Sequence, residues 1–157
     1  MIAVDTNLLV YAHREDAPLH EPALAAMQRL TASGMPWALP WPVAHEFVAV
    51  VSGKAFGRLR TPMPLALSAI EELLEQPGCI PIGETDRHWP ILQALVQRAQ
   101  VAGAAVHDAR IAAICIAHGV TELWTLDRDF SKFPDLRTRN PLVLSLQEPV
   151  SAYPARK

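Results

Sequence analysis

The sequence predicts a single α/β domain of three layers, α/β/α, in which helices cover both faces of a mostly parallel central sheet. Two observations lead to this prediction. Short apolar runs alternate along the chain with longer segments of helical periodicity, a pattern typical of parallel strands joined by helical crossovers. Half of the 157 residues are apolar and 19% are charged, which is enough for one compact core without a metal or disulfide to hold it together.

Strands are predicted where a short apolar run ends at turn or cap residues. The first run ends abruptly at Asp5-Thr6-Asn7, so we expect a buried strand that delivers Asp5 at its carboxyl end. The predicted strands are residues 2–4, 36–41, 79–82, 123–126 and 142–144.

Helices are predicted where apolar residues recur with helical spacing between residues that begin or end helices. Pro42 suits the first turn of a helix, and the Ala-rich apolar segment before Gly119 is typical of a buried one. The predicted helices are residues 8–13, 21–32, 43–51, 64–76, 86–101 and 108–118.

One domain is expected over residues 1–147, followed by a loosely held tail at residues 148–157 that contains two prolines and a basic end. Asp5 interrupts the apolar start, and no later run has the length of a membrane span, so we expect a cytoplasmic protein. Cys79 and Cys115 lie far apart in apolar surroundings and are expected to be core thiols.

The formal net charge of −2 means that the molecule as a whole does not attract nucleic acid as a strongly basic domain would. A nucleic-acid substrate would have to be held by local cations or by a metal. Residues 53–60, the basic segment, offer candidate RNA contacts together with Phe56 for base stacking, although a solvated loop is an equal alternative. The candidate RNA contacts are Lys54, Arg58, Arg60 and, elsewhere, Arg110.

Four acidic residues stand at positions that suggest a shared site. Asp5 and Asp127 each follow a predicted strand, and ligands of parallel sheets bind beyond the carboxyl ends of the strands. Asp108 opens an apolar helix, and Glu46 lies within a mostly hydrophobic one. Clustered acids repel unless a cation neutralises them, and oxygen ligands suit Mg²⁺ or Mn²⁺. Such an ion can activate water for phosphodiester hydrolysis.

Each acid also has a simpler interpretation. Asp5 and Asp108 suit helix capping or the first turn of a helix, where the macrodipole favours an acid. Glu46 suits a solvated helix face, and Asp127 with Asp129 suits a polar turn. Only the combination of the acids favours a functional site.

Two other catalytic motifs are excluded, each by the residue at one position. His45-Glu46 resembles the start of a zinc-protease helix, but position 49 is Ala where a second His is required. Asp5-Thr6-Asn7 resembles the loop of haloacid-dehalogenase-type phosphatases, which need a second Asp where this chain has Asn7.

Four segments, in order, resemble the PIN domain, and specifically its VapC-type toxin members. They are VDTNLLVY at residues 4–11, HEF at 45–47, HDARIAA at 107–113 and WTLDRDF at 124–130. The resemblance extends from residue 2 to about residue 144. It implies a PIN fold, Mg²⁺- or Mn²⁺-dependent endoribonuclease activity, and pairing with a small VapB-like antitoxin that blocks the site.

The resemblance also assigns the site residues. The family's acids fall on Asp5, Glu46, Asp108 and Asp127, and Glu46 is expected to complete the site beside the three aspartates that bind metal.

Three further residues take supporting roles in this resemblance. Asp129 competes with Asp127 for the ligand role, because both follow the strand. Thr125 matches the hydroxyl residue before the last acid. Asn7 is expected to orient Asp5 or a metal-bound water, with capping as the alternative.

Two other functions stay open at this point, a structure-specific DNA nuclease and a binding module whose acids are structural. The short chain, without room for a duplex-clamping domain, argues against the first. We also expect a homodimer. Tyr11, Trp37 and Trp41 are candidates for a surface that binds the antitoxin or a second copy, although core packing is the usual role of such residues.

Overall fold

The central sheet has five strands in the order β3-β2-β1-β4-β5, and every neighbouring pair is parallel. The computed structural model describes residues 1–143. Helices flank the sheet, which confirms the predicted α/β class. The strands are β1 Ile2–Val4, β2 Trp37–Pro40, β3 Cys79–Ile82, β4 Glu122–Trp124 and β5 Thr138–Arg139.

Six α-helices connect these strands in the part of the chain that the structure describes. They are α1 Thr6–His13, α2 His20–Ala32, α3 Trp41–Val51, α4 Met63–Leu74, α5 His88–Ala99 and α6 Ala105–Ala117. Two 3-10 helices, Lys54–Leu59 and Arg128–Lys132, follow α3 and β4. None of the described helices is long and apolar enough to cross a membrane.

The inner strands are buried because helices cover both faces of the sheet. All residues of β2 and β4 are buried, and residues 111–115 of α6 are buried as well. Trp37 was a candidate for an interaction surface, but it is fully buried and its indole N–H donates to the carbonyl of Pro77 at 3.2 Å. The two cysteines are free thiols, Cys115 buried and Cys79 half-buried.

Several predicted boundaries are wrong for local reasons. Helix α6 begins at Ala105 rather than at Asp108, after a turn in which Gly103 adopts a positive φ of 61°. Helix α5 is shorter than predicted, because Gln100 turns left-handed with φ 52° and ends it.

The predicted last strand at residues 142–144 is also wrong where the structure describes it. Asn140 accepts a hydrogen bond from the backbone N–H of Leu142 at 2.9 Å, so the chain turns there. The fifth strand lies earlier, at Thr138–Arg139. Residue 144 and the predicted tail at 148–157 lie outside the described residues.

The short edge strand β5 is held to β4 by backbone hydrogen bonds and by a buried carboxylate. The backbone N–H groups of Leu123 and Thr125 donate to the carbonyls of Arg137 and Arg139 at 2.8 and 3.0 Å. Glu122 is 8% exposed, and its Oε1 accepts a hydrogen bond from the Trp124 indole at 2.9 Å. Its Oε2 lies 3.1 Å from Arg137 Nε, and its Oε1 lies 3.7 Å from Arg139 Nη1.

We predict that Glu122→Ala destabilises the fold by about 1–3 kcal/mol, because it leaves a buried indole N–H without its acceptor. Urea unfolding measures the loss. Glu71→Ala, at an exposed position of α4, is the matched control and should change stability by less than about 0.5 kcal/mol. Equal stability of the two variants would show that the buried Glu122–Trp124 hydrogen bond does not stabilise the fold.

Candidate active site

A cavity of about 500 Å³ opens at the carboxyl ends of β1 and β4. Strand β1 lies beside β4 with Val4 opposite Trp124, and the Asp5 backbone N–H donates to the Trp124 carbonyl at 3.0 Å. The four acids singled out in the sequence come from four separate segments of the chain. All four line this one cavity: Asp5, Glu46, Asp108 and Asp127.

Asp5 is the most buried of these acids, with 4% of its surface exposed. Its Oδ2 accepts a hydrogen bond from the Thr125 hydroxyl at 2.7 Å. Burial raises the pKa of Asp5 to about 6, and the negative charges of Glu46 and Asp108 push it in the same direction. Asp5 occupies the N-cap position of α1, but its side chain makes no capping hydrogen bond to that helix.

Thr125 is the centre of a hydrogen-bond network that fixes Asp5. Besides donating to Asp5, its hydroxyl oxygen accepts from the Asn7 amide at 3.3 Å and from the Asp127 backbone N–H at 2.9 Å. Asn7 in turn accepts from the Leu126 backbone N–H at 3.2 Å. Asn7 therefore reaches Asp5 through Thr125, and it ties the start of α1 to the end of β4.

Glu46 projects from the exposed side of α3 and is held by a residue that the sequence analysis did not single out. Its Oε2 accepts a hydrogen bond from the Thr6 hydroxyl at 2.6 Å. Thr6 directly follows Asp5, so one turn positions both carboxylates. The feature of the sequence that could have identified Thr6 was its place inside the VDTN segment.

Asp108 lies in the first turn of α6 and is half-buried, while Ala104 occupies the capping position. Burial raises the pKa of Asp108, and the charges of Asp127 and Glu46 raise it further. These mutual effects mean that the acids repel one another across the cavity.

Asp127 and Asp129 face different spaces. Asp127 lines the cavity with Asp5, and it also accepts the Asp129 backbone N–H at 2.8 Å, so the polar-turn interpretation holds for it as well. Asp129 lines a neighbouring cavity of about 480 Å³, and its Oδ1 lies 2.9 Å from Lys132 Nζ. Glu46 and Asp108 line both cavities.

The donor set suits a hard divalent cation. Within residues 1–143, no three side chains of the Asp, Glu, His or Cys type converge closely enough to enclose an ion as they stand. The carboxylates would therefore have to turn toward a shared ion. Oxygen ligands, the burial of Asp5 and the raised pKa values of Asp5 and Asp108 all fit Mg²⁺ or Mn²⁺, whose charge would relieve the repulsion.

The candidate RNA contacts lie around this site rather than in it. Lys54, Arg58 and Arg60 are exposed on the basic segment, of which only Phe56 lines the cavity. Arg110 donates from Nε to Glu84 at 2.6 Å and lines the neighbouring cavity.

One cation in the wall of the acidic cavity escaped the sequence analysis. Arg14, at the end of α1, is only 6% exposed, and its guanidinium lies 3.6 Å from the centroid of the Phe56 ring. Nothing in its sequence neighbourhood distinguishes it from a surface charge, because its burial depends on residues more than forty positions away.

Comparison with known families agrees with this geometry. The PIN domain family model matches residues 2–136, and the chain belongs to the PIN-domain family. The fold and the order of the four acidic segments are thereby explained, and the resemblance stated from the sequence is confirmed.

The relatives of the chain are VapC proteins. It is 33% identical over 142 residues to ribonuclease VapC43 of Mycobacterium tuberculosis, a match that covers 90% of this chain and 96% of that protein. Two solved structures share the fold. VapBC2 of Rickettsia felis, solved bound to a DNA fragment from its promoter, has a TM-score of 0.63 and 19% identity over 88% of this chain and 98% of that one. VapC20 of M. tuberculosis, described as a sarcin-ricin loop cleaving toxin, has a TM-score of 0.61 and 20% identity over 83% and 93%.

The raised pKa of Asp5 predicts a pH-dependent stability change. Because the folded state holds this proton more tightly than the unfolded state, the buried charge destabilises the metal-free fold above about pH 4. Asp5→Asn should therefore stabilise it by up to about 3 kcal/mol at neutral pH. The gain should be absent below about pH 4, grow between about pH 4 and 6, and stay constant above that range.

Urea unfolding in EDTA across this pH range measures the effect, with Asp86→Asn, an exposed position just before α5, as the matched control. A gain of the same size at both ends of the range would mean that the Asp5 carboxylate is not the destabilising charge.

Proposed function

We propose that the protein is a divalent-metal-dependent endoribonuclease and the toxin of a VapBC-type toxin–antitoxin pair. The observation that carries the proposal is that four acids from separate segments line one cavity at the carboxyl edge of the sheet. The VapC ribonucleases among the relatives of the chain support RNA as the substrate. We propose that the protein acts in the cytoplasm.

Asp5, Asp108 and Asp127 are the residues that would hold Mg²⁺ or Mn²⁺. When bound, the ion activates a water molecule for attack on phosphorus and stabilises charge on the phosphate oxygens. We favour Asp127 over Asp129 as the third ligand, because Asp127 shares the cavity with Asp5 whereas Asp129 pairs with Lys132. The resemblance places the family's last acid on Asp127, but it leaves the main ligand role open between Asp127 and Asp129.

The remaining residues of the site hold the acidic side chains in position. Thr125 donates to one oxygen of Asp5, and Asn7 donates to Thr125 in turn. Thr6 holds Glu46 at the edge of the same space, where its carboxylate completes the acidic site. Such supporting hydrogen bonds orient metal ligands and typically contribute about 10- to 100-fold to metal affinity or activity.

The partner proposed for this chain is a small VapB-like protein that blocks the acidic cavity. The assembly named for the R. felis relative supports it, as does the acidic character of the cavity, which suits a cationic side chain of a partner. A homodimer of this chain is proposed as well.

The purified chain should cleave RNA in Mg²⁺ or Mn²⁺ and lose this activity in EDTA. Asp5→Asn should lower the rate by at least about 100-fold, because it removes a ligand rather than a supporting hydrogen bond. Cleavage of labelled single-stranded RNA measures the rate, with circular dichroism as the check on folding and Asp86→Asn as the matched control. A fully active Asp5→Asn protein would reject the mechanism, and cleavage of DNA but not RNA would favour the DNA-nuclease alternative.

Expression of the wild-type chain in a bacterial host should arrest growth, whereas expression of Asp5→Asn should not. Co-expression of the small protein encoded beside it should restore growth, because the partner would cover the cavity. Growth curves measure both effects. Unimpaired growth with a chain that is active in vitro would contradict the toxin role while leaving the ribonuclease activity intact.

A further inference from the structure

Arg14 makes three contacts that together join the end of α1 to the basic segment. Its Nη2 lies 2.6 Å from Asp16 Oδ2, and its Nη1 donates to the Leu59 carbonyl at 3.2 Å. The guanidinium plane lies against the ring of Phe56. Two of the three contacts are therefore made to the 3-10 helix Lys54–Leu59, more than forty residues along the chain.

The basic segment has little else to hold it near the cavity. None of the residues in its 3-10 helix is buried, and Gly57, with φ 53°, breaks the helix into two turns. The backbone hydrogen bonds of Phe56 and Arg60 stay within the segment, to Gly53 and Gly57. The segment is fixed at both ends: the Gly53 N–H donates to the Val50 carbonyl at 3.1 Å, and the Thr61 N–H, just past the other end, donates to the Val51 carbonyl at 2.8 Å. The middle of the segment is held by the contacts of Phe56 and Leu59 with Arg14.

The charges around the cavity give a functional reason for the contacts of Arg14. The cavity is lined by five carboxylates, the four of the candidate site and Asp16, which repel phosphate, and the chain as a whole carries a net charge of −2. An RNA strand therefore needs local cations at the rim of the cavity. The basic segment carries three exposed ones, and Phe56, which Arg14 holds, is the residue of that segment that lines the cavity. Arg14 itself is nearly buried and already paired with Asp16.

We propose that Arg14 is a positioning residue for RNA binding: it clamps Phe56 and Leu59 so that the cations of the basic segment contact the RNA backbone at the rim of the acidic cavity. This proposal rests on the proposed function, because it takes single-stranded RNA as the ligand. A guanidinium is required, since its planar fork stacks on a ring and donates in two directions at once, which an ammonium group cannot reproduce.

The test measures binding of fluorescein-labelled single-stranded RNA by anisotropy at several salt concentrations, using the full chain in the Asp5→Asn background so that RNA is not cleaved. Arg14→Lys keeps the charge and loses the clamp, and Phe56→Leu loosens it from the other side. Each should weaken RNA binding by about 10-fold and lower the slope of log K against log salt by about 2, as expected when three contacts to single-stranded phosphates are lost. Arg29→Lys, an exposed position of α2, is the matched control and should change neither quantity.

A second variant tests whether Arg14 acts through the basic segment rather than directly in the cavity. Lys54→Ala/Arg58→Ala/Arg60→Ala should lower the affinity and the salt slope as Arg14→Lys does, and adding Arg14→Lys to it should cause little further loss. Additive losses would mean that Arg14 acts independently of these cations, which would overturn the proposal. Trypsin cleavage within the segment should become faster in Arg14→Lys and Phe56→Leu, as a sign that the segment has been released.

Three outcomes separate this proposal from the proposed function. If the wild-type chain neither cleaves nor binds RNA in Mg²⁺ or Mn²⁺, the proposed function fails, and the RNA role of Arg14 with it. If the parent binds RNA and Arg14→Lys binds it equally well, this proposal alone fails. In the Asp5-containing chain, Arg14→Lys should raise KM with little change in kcat. A fall in kcat with unchanged KM would place Arg14 in the acidic site itself and contradict a positioning role.

Discussion

The parallel pairing of β1 with β4 is the constraint on which the rest of the site depends. The register that places Val4 opposite Trp124 brings Asp5 beside Thr125, two residues separated by 120 positions in sequence. Once these two strand ends lie together, the Thr125 hydroxyl can hold Asp5, and Asn7 can join the two turns. A shift of one residue in that register would turn the Asp5 side chain to the opposite face of the sheet, and these hydrogen bonds would be lost.

The same arrangement brings carboxylates that repel one another close together. Asp5 is withdrawn from water among other acids, and Asp108 experiences the charges of Asp127 and Glu46. Structural caps have no need of such an arrangement, since a lone acid at a helix terminus is favoured by the macrodipole. A divalent cation bound here would reverse the sign of the interaction. The stability that the metal-free fold loses through this repulsion would then be regained as metal affinity.

Much of the fold could be predicted from local pattern, because buried parallel strands are short apolar runs and the helices between them are periodic. Strand β3 has the predicted bounds, and the four acids were found from their positions after strands and inside apolar helices. The strand order required the structure, and so did the observation that Asp127, and not Asp129, shares a cavity with Asp5. Strand β5 was missed because Thr138–Arg139 has no apolar run, and its pairing depends on backbone hydrogen bonds with β4, which is distant in the local pattern. Arg14 was missed for the same reason, since its partners Phe56 and Leu59 are distant in sequence.

The central claim, that the four carboxylates are a divalent-cation site, is tested most directly by anomalous diffraction from crystals of the wild-type chain soaked in Mn²⁺. We predict an anomalous peak about 2 Å from an Asp5 carboxylate oxygen and shared with Asp108 or Asp127, and its loss in crystals of Asp5→Asn. A well-ordered, solvent-accessible cavity without a peak, or Mn²⁺ bound only elsewhere on the molecule, would contradict the account.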